Sequence, residues 1–145
     1  MIRFLLDTDH LTLHERGHPP LRQRLAALPP DAVAISVVTV EETLRGRLAV
    51  LARRLEGDAR VRAYAKFLEA VRFCNSIPVM PFDQACEDQF QQFRSLRLRV
   101  GSQDLRIAAT ALAHNLTVVT RNRRDLSRFR GSESRTGHPS ENRGR

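Results

Sequence analysis

The chain has 145 residues, 41% of them apolar, and a formal net charge of +8. That length gives room for one domain with a buried core, and no apolar run approaches the ~18 residues that a membrane-spanning helix needs. The charge is uneven: residues 121–145 hold 8 of the 24 basic side chains and 3 of the 16 acidic ones, hence +5 of the +8, a balance that favours contact with nucleic acid but carries no information about fold.

Residues 3–6 form a short apolar run closed by Asp7-Thr8-Asp9, which predicts a buried strand followed by a helix start. An Asp so near the beginning leaves no apolar stretch for a secretory signal, so a cytoplasmic location and no membrane contact are expected. Residues 9–28 read as two short helices broken by Gly17-His18-Pro19-Pro20. A turn at Pro29-Pro30-Asp31 leads to a second buried strand over residues 32–37. Val40, Leu44, Leu48, Leu51 and Leu55 then recur at helical spacing, predicting a helix from near Thr39. Gly57-Asp58 breaks it, and residues 59–74 form the next helix. Ile77-Pro78-Val79-Met80 reads as a third, edge-like strand, because Pro78 cannot donate to a ladder.

Asp83 caps a helix carrying Cys86, Phe90, Phe93 and Arg97. Ser102 opens the helix with the clearest apolar stripe, Leu105, Ala108, Ala109, Leu112 and Leu116, and residues 117–120 form a fourth strand. The two cysteines, Cys74 and Cys86, match no Cys-x-x-Cys pattern, and a single pair makes a poor disulfide framework. Both are expected as small buried hydrophobes.

Strands alternating with helices predict an α/β domain with a mostly parallel sheet, and that topology locates the acids. Asp7 follows the first strand. Glu42 lies in the first turn of the helix leaving the second strand. Asp104 lies in the first turn of a helix that must run antiparallel to the strand it feeds. Asn122 and Asp125 follow the fourth strand. All fall on the C-terminal rim, where open α/β sheets put their sites. Carboxylates gathered this way repel one another unless a cation intervenes, and hard oxygen donors suit Mg2+ with phosphate completing the shell. Each acid also has a purely structural reading. Thr39-x-x-Glu42 is a formal capping box, Asp104 suits a helix dipole, and Asp7 could cap the next helix.

At these residues the sequence resembles the PIN-domain ribonucleases, and within them the VapC toxins of type II toxin–antitoxin modules. The matching stretches are Phe4-Leu5-Leu6-Asp7-Thr8-Asp9, then Ile35-Ser36-Val37-Val38-Thr39-Val40-Glu41-Glu42 with Arg45-Gly46, then Gly101-Ser102-Gln103-Asp104-Leu105-Arg106-Ile107-Ala108-Ala109-Thr110-Ala111-Leu112, and Val119-Thr120-Arg121-Asn122-Arg123-Arg124-Asp125-Leu126. The resemblance implies a PIN-like domain over residues 1–130, with a sheet of four or five strands flanked by helices. It implies a toxin that cleaves RNA with Mg2+ or Mn2+ held by Asp7, Glu42 and Asp104. It further implies an antitoxin partner and a homodimer. Thr8 and Thr120 would be hydroxyl neighbours and Asp125 a supporting acid. Asn122 stands where many relatives carry a fourth acid, which speaks against a full second metal site.

One departure is clear. The family continues with a Gly-Leu turn and a last apolar strand, whereas after Phe129 the chain stays polar to Arg145 and has no Trp. The final strand is expected to be missing or replaced, and residues 131–145 to form a disordered basic tail. Other readings compete. His14-Glu15-Arg16-Gly17-His18 matches the zinc-protease pattern, but His18 precedes Pro19 and leaves the helical region. Asp7-Thr8-Asp9 also resembles the nucleophile loop of haloacid-dehalogenase-type phosphatases, although the one Lys, Lys66, sits mid-helix. A catalytically dead PIN-like binding module is the non-enzyme alternative.

Overall fold

The computed structural model describes residues 1–7 and 26–119, and the backbone of residues 134–135. Within them, five strands form one sheet: β1 (Phe4–Leu6), β2 (Val33–Ser36), β3 (Val79–Met80), β4 (Thr117–Val119) and β5 (Ser134–Arg135), in the order β3-β2-β1-β4-β5. Every neighbouring pair is parallel, with Leu5 opposite Ala34 on one side and Val118 on the other. Parallel strands need crossover connections, and among the described residues four helices supply two of them, α1 (Val37–Leu51) and α2 (Gly57–Ser76) from β2 to β3, and α3 (Gln84–Ser95) and α4 (Ser102–Ala113) from β3 to β4. The expected α/β class and flanked parallel sheet are both present.

The central strands are apolar on both faces, as a sheet covered by helices on both sides requires. Side chains alternate along a strand, and the core divides accordingly. Leu5, Ala34 and Val118 pack with Phe90 and Phe93 of α3 and Leu105, Ala108 and Ala109 of α4. Leu6, Val33, Ile35 and Val119 face the other way, against Val40, Phe73, Cys74 and Ile77.

The boundaries depart from expectation in instructive places. Helix α1 starts at Val37, because the buried Ser36 is its N-cap and its hydroxyl accepts from the Thr39 backbone N–H at 3.1 Å. It ends at Leu51, and Gly57, at φ +54°, turns the chain into α2 through a conformation that favours glycine. The turn at Pro29-Pro30-Asp31 is a short 3-10 helix, Pro30–Ala32. Strand β3 is at the sheet edge, as Pro78 suggested, and the Pro78 carbonyl still accepts from Ile35 at 3.0 Å. Asp83 caps α3 as expected, its Oδ1 accepting from the Cys86 backbone N–H. The polar stretch expected to be a tail contributes β5, which pairs with Val118 and Val119. A backbone ladder needs no apolar side chain, so composition gave no sign of it. The helices expected over residues 9–28 lie mainly outside the described residues, as does the His14–His18 pattern.

Helix α4 ends in a full Schellman motif. Asn115 takes φ 57°, its N–H bonds to Leu112 O at 3.3 Å, and the Leu116 N–H bonds to Ala111 O at 2.8 Å. Helix α2 instead leaves part of its apolar face uncovered among the described residues: Val61, Tyr64 and Leu68, at i, i+3 and i+7, are 68%, 59% and 47% exposed.

Candidate metal centre at the carboxyl rim of the sheet

Because all strands run in parallel, one edge of the sheet collects every strand's C-terminal end. Asp7 follows β1 there, with its side chain mostly buried and its backbone N–H bonded to Val119 O at 3.2 Å. Helix α1 leaves the same edge from β2, and Glu42 lies in its second turn, half-buried. Only residues 114–116 separate α4 from β4. The N-terminal turn of α4, with the exposed Asp104, therefore lies at that rim too. All three acids stand at the edge expected of them. Thr8, Thr120, Asn122 and Asp125 lie outside the described residues.

Glu42 is not in the first turn, and the difference matters. With Ser36 as N-cap, the third helical position is Thr39, and Glu42 is three residues further on. A capping-box glutamate must occupy the third position. That structural account of Glu42 therefore falls away.

A polar bridge shows how closely the two rim helices approach. Gln103 Nε2 donates to Glu41 Oε1 at 3.1 Å across 62 residues of sequence. Glu41 is also paired with Arg45 one turn along α1, while Arg106 Nη1 donates to Gln103 Oε1 at 2.7 Å. The Arg106 guanidinium lies 5.2 Å from the Phe90 ring centre of α3. Glu41 precedes Glu42 and Gln103 precedes Asp104, so the bridge ties together the two turns that carry these acids. Sequence reasoning missed it, since no local spacing links residues so far apart.

The three acids offer only carboxylate oxygen. That chemistry fits a hard divalent cation such as Mg2+ or Mn2+ and not a soft one. Among the described residues, no helix is long and apolar enough to cross a membrane.

Comparison with curated proteins finds no match. Among solved structures, the chain is similar to a DNA-bound VapBC from Salmonella typhimurium, with a TM-score of 0.77 and 25% identity over 95% of this chain and 100% of the other. It is similar to FitAcB from Neisseria gonorrhoeae, with a TM-score of 0.66 and 27% identity over 92% and 97% of the two chains. VapBC-5 from Mycobacterium tuberculosis, a member of the VapBC family of toxin–antitoxin systems, matches with a TM-score of 0.60 and 26% identity over 94% and 99%. The model of the PIN domain matches residues 4–131, which removes the haloacid-dehalogenase alternative for Asp7. With that match covering all but the two ends of the sequence, the chain belongs to the PIN domain family.

Proposed function

We propose that the chain is the toxin of a type II toxin–antitoxin pair, an endoribonuclease that hydrolyses RNA phosphodiester bonds with Mg2+ or Mn2+ held by Asp7, Glu42 and Asp104. The observation that carries this reading is the delivery of three acids, from β1, α1 and α4, to one rim of a parallel sheet in a PIN domain. The similarity to VapBC complexes supports the toxin role and an antitoxin partner.

When bound, such a cation neutralises charge on the attacked phosphate and makes a water more acidic. The chain's own residues do the rest. Asp7, fixed at the end of a buried strand, is the rigid ligand. Glu42 and Asp104 approach it from two helices held in register by Gln103 and Glu41. Asp104 sits over the first turn of α4, whose unpaired backbone N–H groups favour a negatively charged substrate beside it. The basic excess of the last 25 residues strengthens attraction to RNA in a salt-dependent way. The uncovered face of α2 supports a protein partner, since contiguous apolar surface commonly marks an interface. A homodimer and a cytoplasmic location belong to the same reading.

The test is incubation of the purified chain with total RNA, with Mg2+ or Mn2+ and with EDTA. Cleavage that needs the metal and is abolished by Asp7→Asn or Asp104→Asn, in variants that remain folded, is the expected result. Glu42→Gln should behave in the same way. Wild-type cleavage rates in any of the three would refute the assignment of that residue. Folded wild-type chain that binds RNA but cuts none of it in either metal would make this a binding module.

A further inference from the structure

A second group of ligand-type side chains meets where the first turn of α3 touches the last turn of α4. Asp83 is the N-cap of α3, Cys86 is that helix's third residue and fully buried, and His114 is the C-cap of α4. His114 Nε2 stands 3.5 Å from Cys86 Sγ and 3.4 Å from Asp83 Oδ2. The three ligand atoms all lie within 4.8 Å of one another. Ten residues of α4 separate His114 from Asp104, about 15 Å along a helix, so this group is not part of the carboxylate rim.

Sulfur and carboxylate oxygen both face His114 Nε2, and the Cys86 thiol also hydrogen-bonds the Asp83 carboxylate, so the three ligand atoms turn toward one another. The spacing suits a metal ion. Tetrahedral zinc with Zn–S near 2.3 Å and Zn–N and Zn–O near 2.0–2.2 Å has S···N edges of about 3.6 Å and N···O edges of about 3.4 Å. Those are close to the separations of Nε2 from Sγ and from Oδ2.

The supports of the group are rigid. The Asp83 carboxylate is anchored by the Cys86 backbone N–H at 3.1 Å, and the Schellman motif fixes His114 at the end of its helix. Within the protein the Cys86 thiol is surrounded by the Asp83 carboxylate, the Thr110 hydroxyl and the Pro81 carbonyl, the last at 3.7 Å. His114 and Asp83 are 22% and 44% exposed, which opens one side of the group to water.

We propose that Asp83, Cys86 and His114 form a zinc site, three protein ligands with the fourth position left to water, which fastens the start of α3 to the end of α4. Binding converts the Cys86 thiol to thiolate, its proton passes to solvent, and His114 coordinates as neutral imidazole. Thiolate and imidazole select zinc over Mg2+, while the all-oxygen rim prefers the harder ions. One chain thus offers two chemically distinct cation sites at opposite ends of α4.

The experiment is titration of the reduced, metal-stripped full-length chain with Co2+, followed by Zn2+. The expected result is a thiolate-to-cobalt charge-transfer band that saturates at one equivalent and is bleached by Zn2+. Carboxylates cannot produce that band, so Asp7→Asn and Asp104→Asn should leave it intact, and so should Cys74→Ser. Cys86→Ser should abolish it. His114→Gln, at a partly exposed helix cap where folding is least at risk, should weaken Co2+ binding at least tenfold. A folded, reduced wild-type chain with no such band would overturn the site. So would a band that His114→Gln leaves unchanged, or one that Cys74→Ser removes.

Discussion

Replacing Ser36 by Ala tests the joint on which Glu42 depends. Ser36 and Thr39 are both fully buried, and the Ser36 hydroxyl accepts the Thr39 backbone N–H while lying 3.4 Å from the Thr39 hydroxyl. Loss of an N-cap side chain costs about 0.5–2 kcal/mol, and a buried donor left unsatisfied costs about 1–3 kcal/mol. Both figures describe one bond, so they are not added, and burial favours the upper part of the first range. The expected destabilisation is about 2 kcal/mol, a fall in melting temperature of roughly 4–8 °C for a chain of this size. Urea denaturation followed by circular dichroism measures it, with the slope of the transition unchanged. Cleavage measured well below the transition should persist, because no carboxylate has been removed. If Ser36→Ala costs less than ~0.5 kcal/mol while Thr39→Ala carries the full cap penalty, then Thr39 is the N-cap in solution and α1 begins at Val40. Glu42 would return to the third helical position, and its capping-box reading would stand again.

Other perturbations probe the bridge, the partner surface and the last strand. Gln103→Ala removes the cross-helix hydrogen bond to Glu41. Its cleavage rate should fall roughly tenfold through misplacement of the rim acids, with stability changed by less than ~0.5 kcal/mol at so exposed a contact; unchanged kinetics would mean that the bridge positions nothing. Tyr64→Asp puts a charge in the middle of the uncovered stripe on α2. It should weaken antitoxin binding by at least tenfold in calorimetry, the order of a lost aromatic anchor, and leave cleavage by the isolated chain intact. A chain ending at Arg130 lacks β5 and leaves β4 as a sheet edge. It should melt earlier and self-associate more readily than the full chain, as unpaired edges do; light scattering and melting curves identical to wild type would show that β5 contributes nothing to the sheet.

How much of this was legible in the sequence depends on what sets each position. Strand and helix order followed from apolar runs alternating with helical stripes, and each chain crossover then fixed the rim. Asp7, Glu42 and Asp104 could be located from that alone, because the polarity of β1, β2 and β4 determines which end of each connected helix they occupy. Features made by backbone pairing, or by docking between distant elements, left no such trace. Strand β5 is Ser134 and Arg135, two residues without an apolar signature. Ser36 stood inside an apolar run and did not announce itself as a cap. Gln103 and Glu41 are joined only after α1 and α4 have met.

The two ends of α4 show the distinction within one element. The rim end, with Asp104, is fixed by the direction of β4, which the chain must feed after a three-residue link. The other end, with His114, gains chemical meaning only when the first turn of α3 arrives beside it. That arrival is set by the packing of Phe90 and Phe93 against Leu105, Ala108 and Ala109, a register that the stripes of both helices permit but do not specify. Cys86 could therefore be read correctly as buried while its neighbours went unread. Twenty-eight residues separate it from His114, no metal-ligand motif has that spacing in a single run, and the side chains converge only because two caps, Asp83 and His114, are brought to the same corner of the helical hairpin.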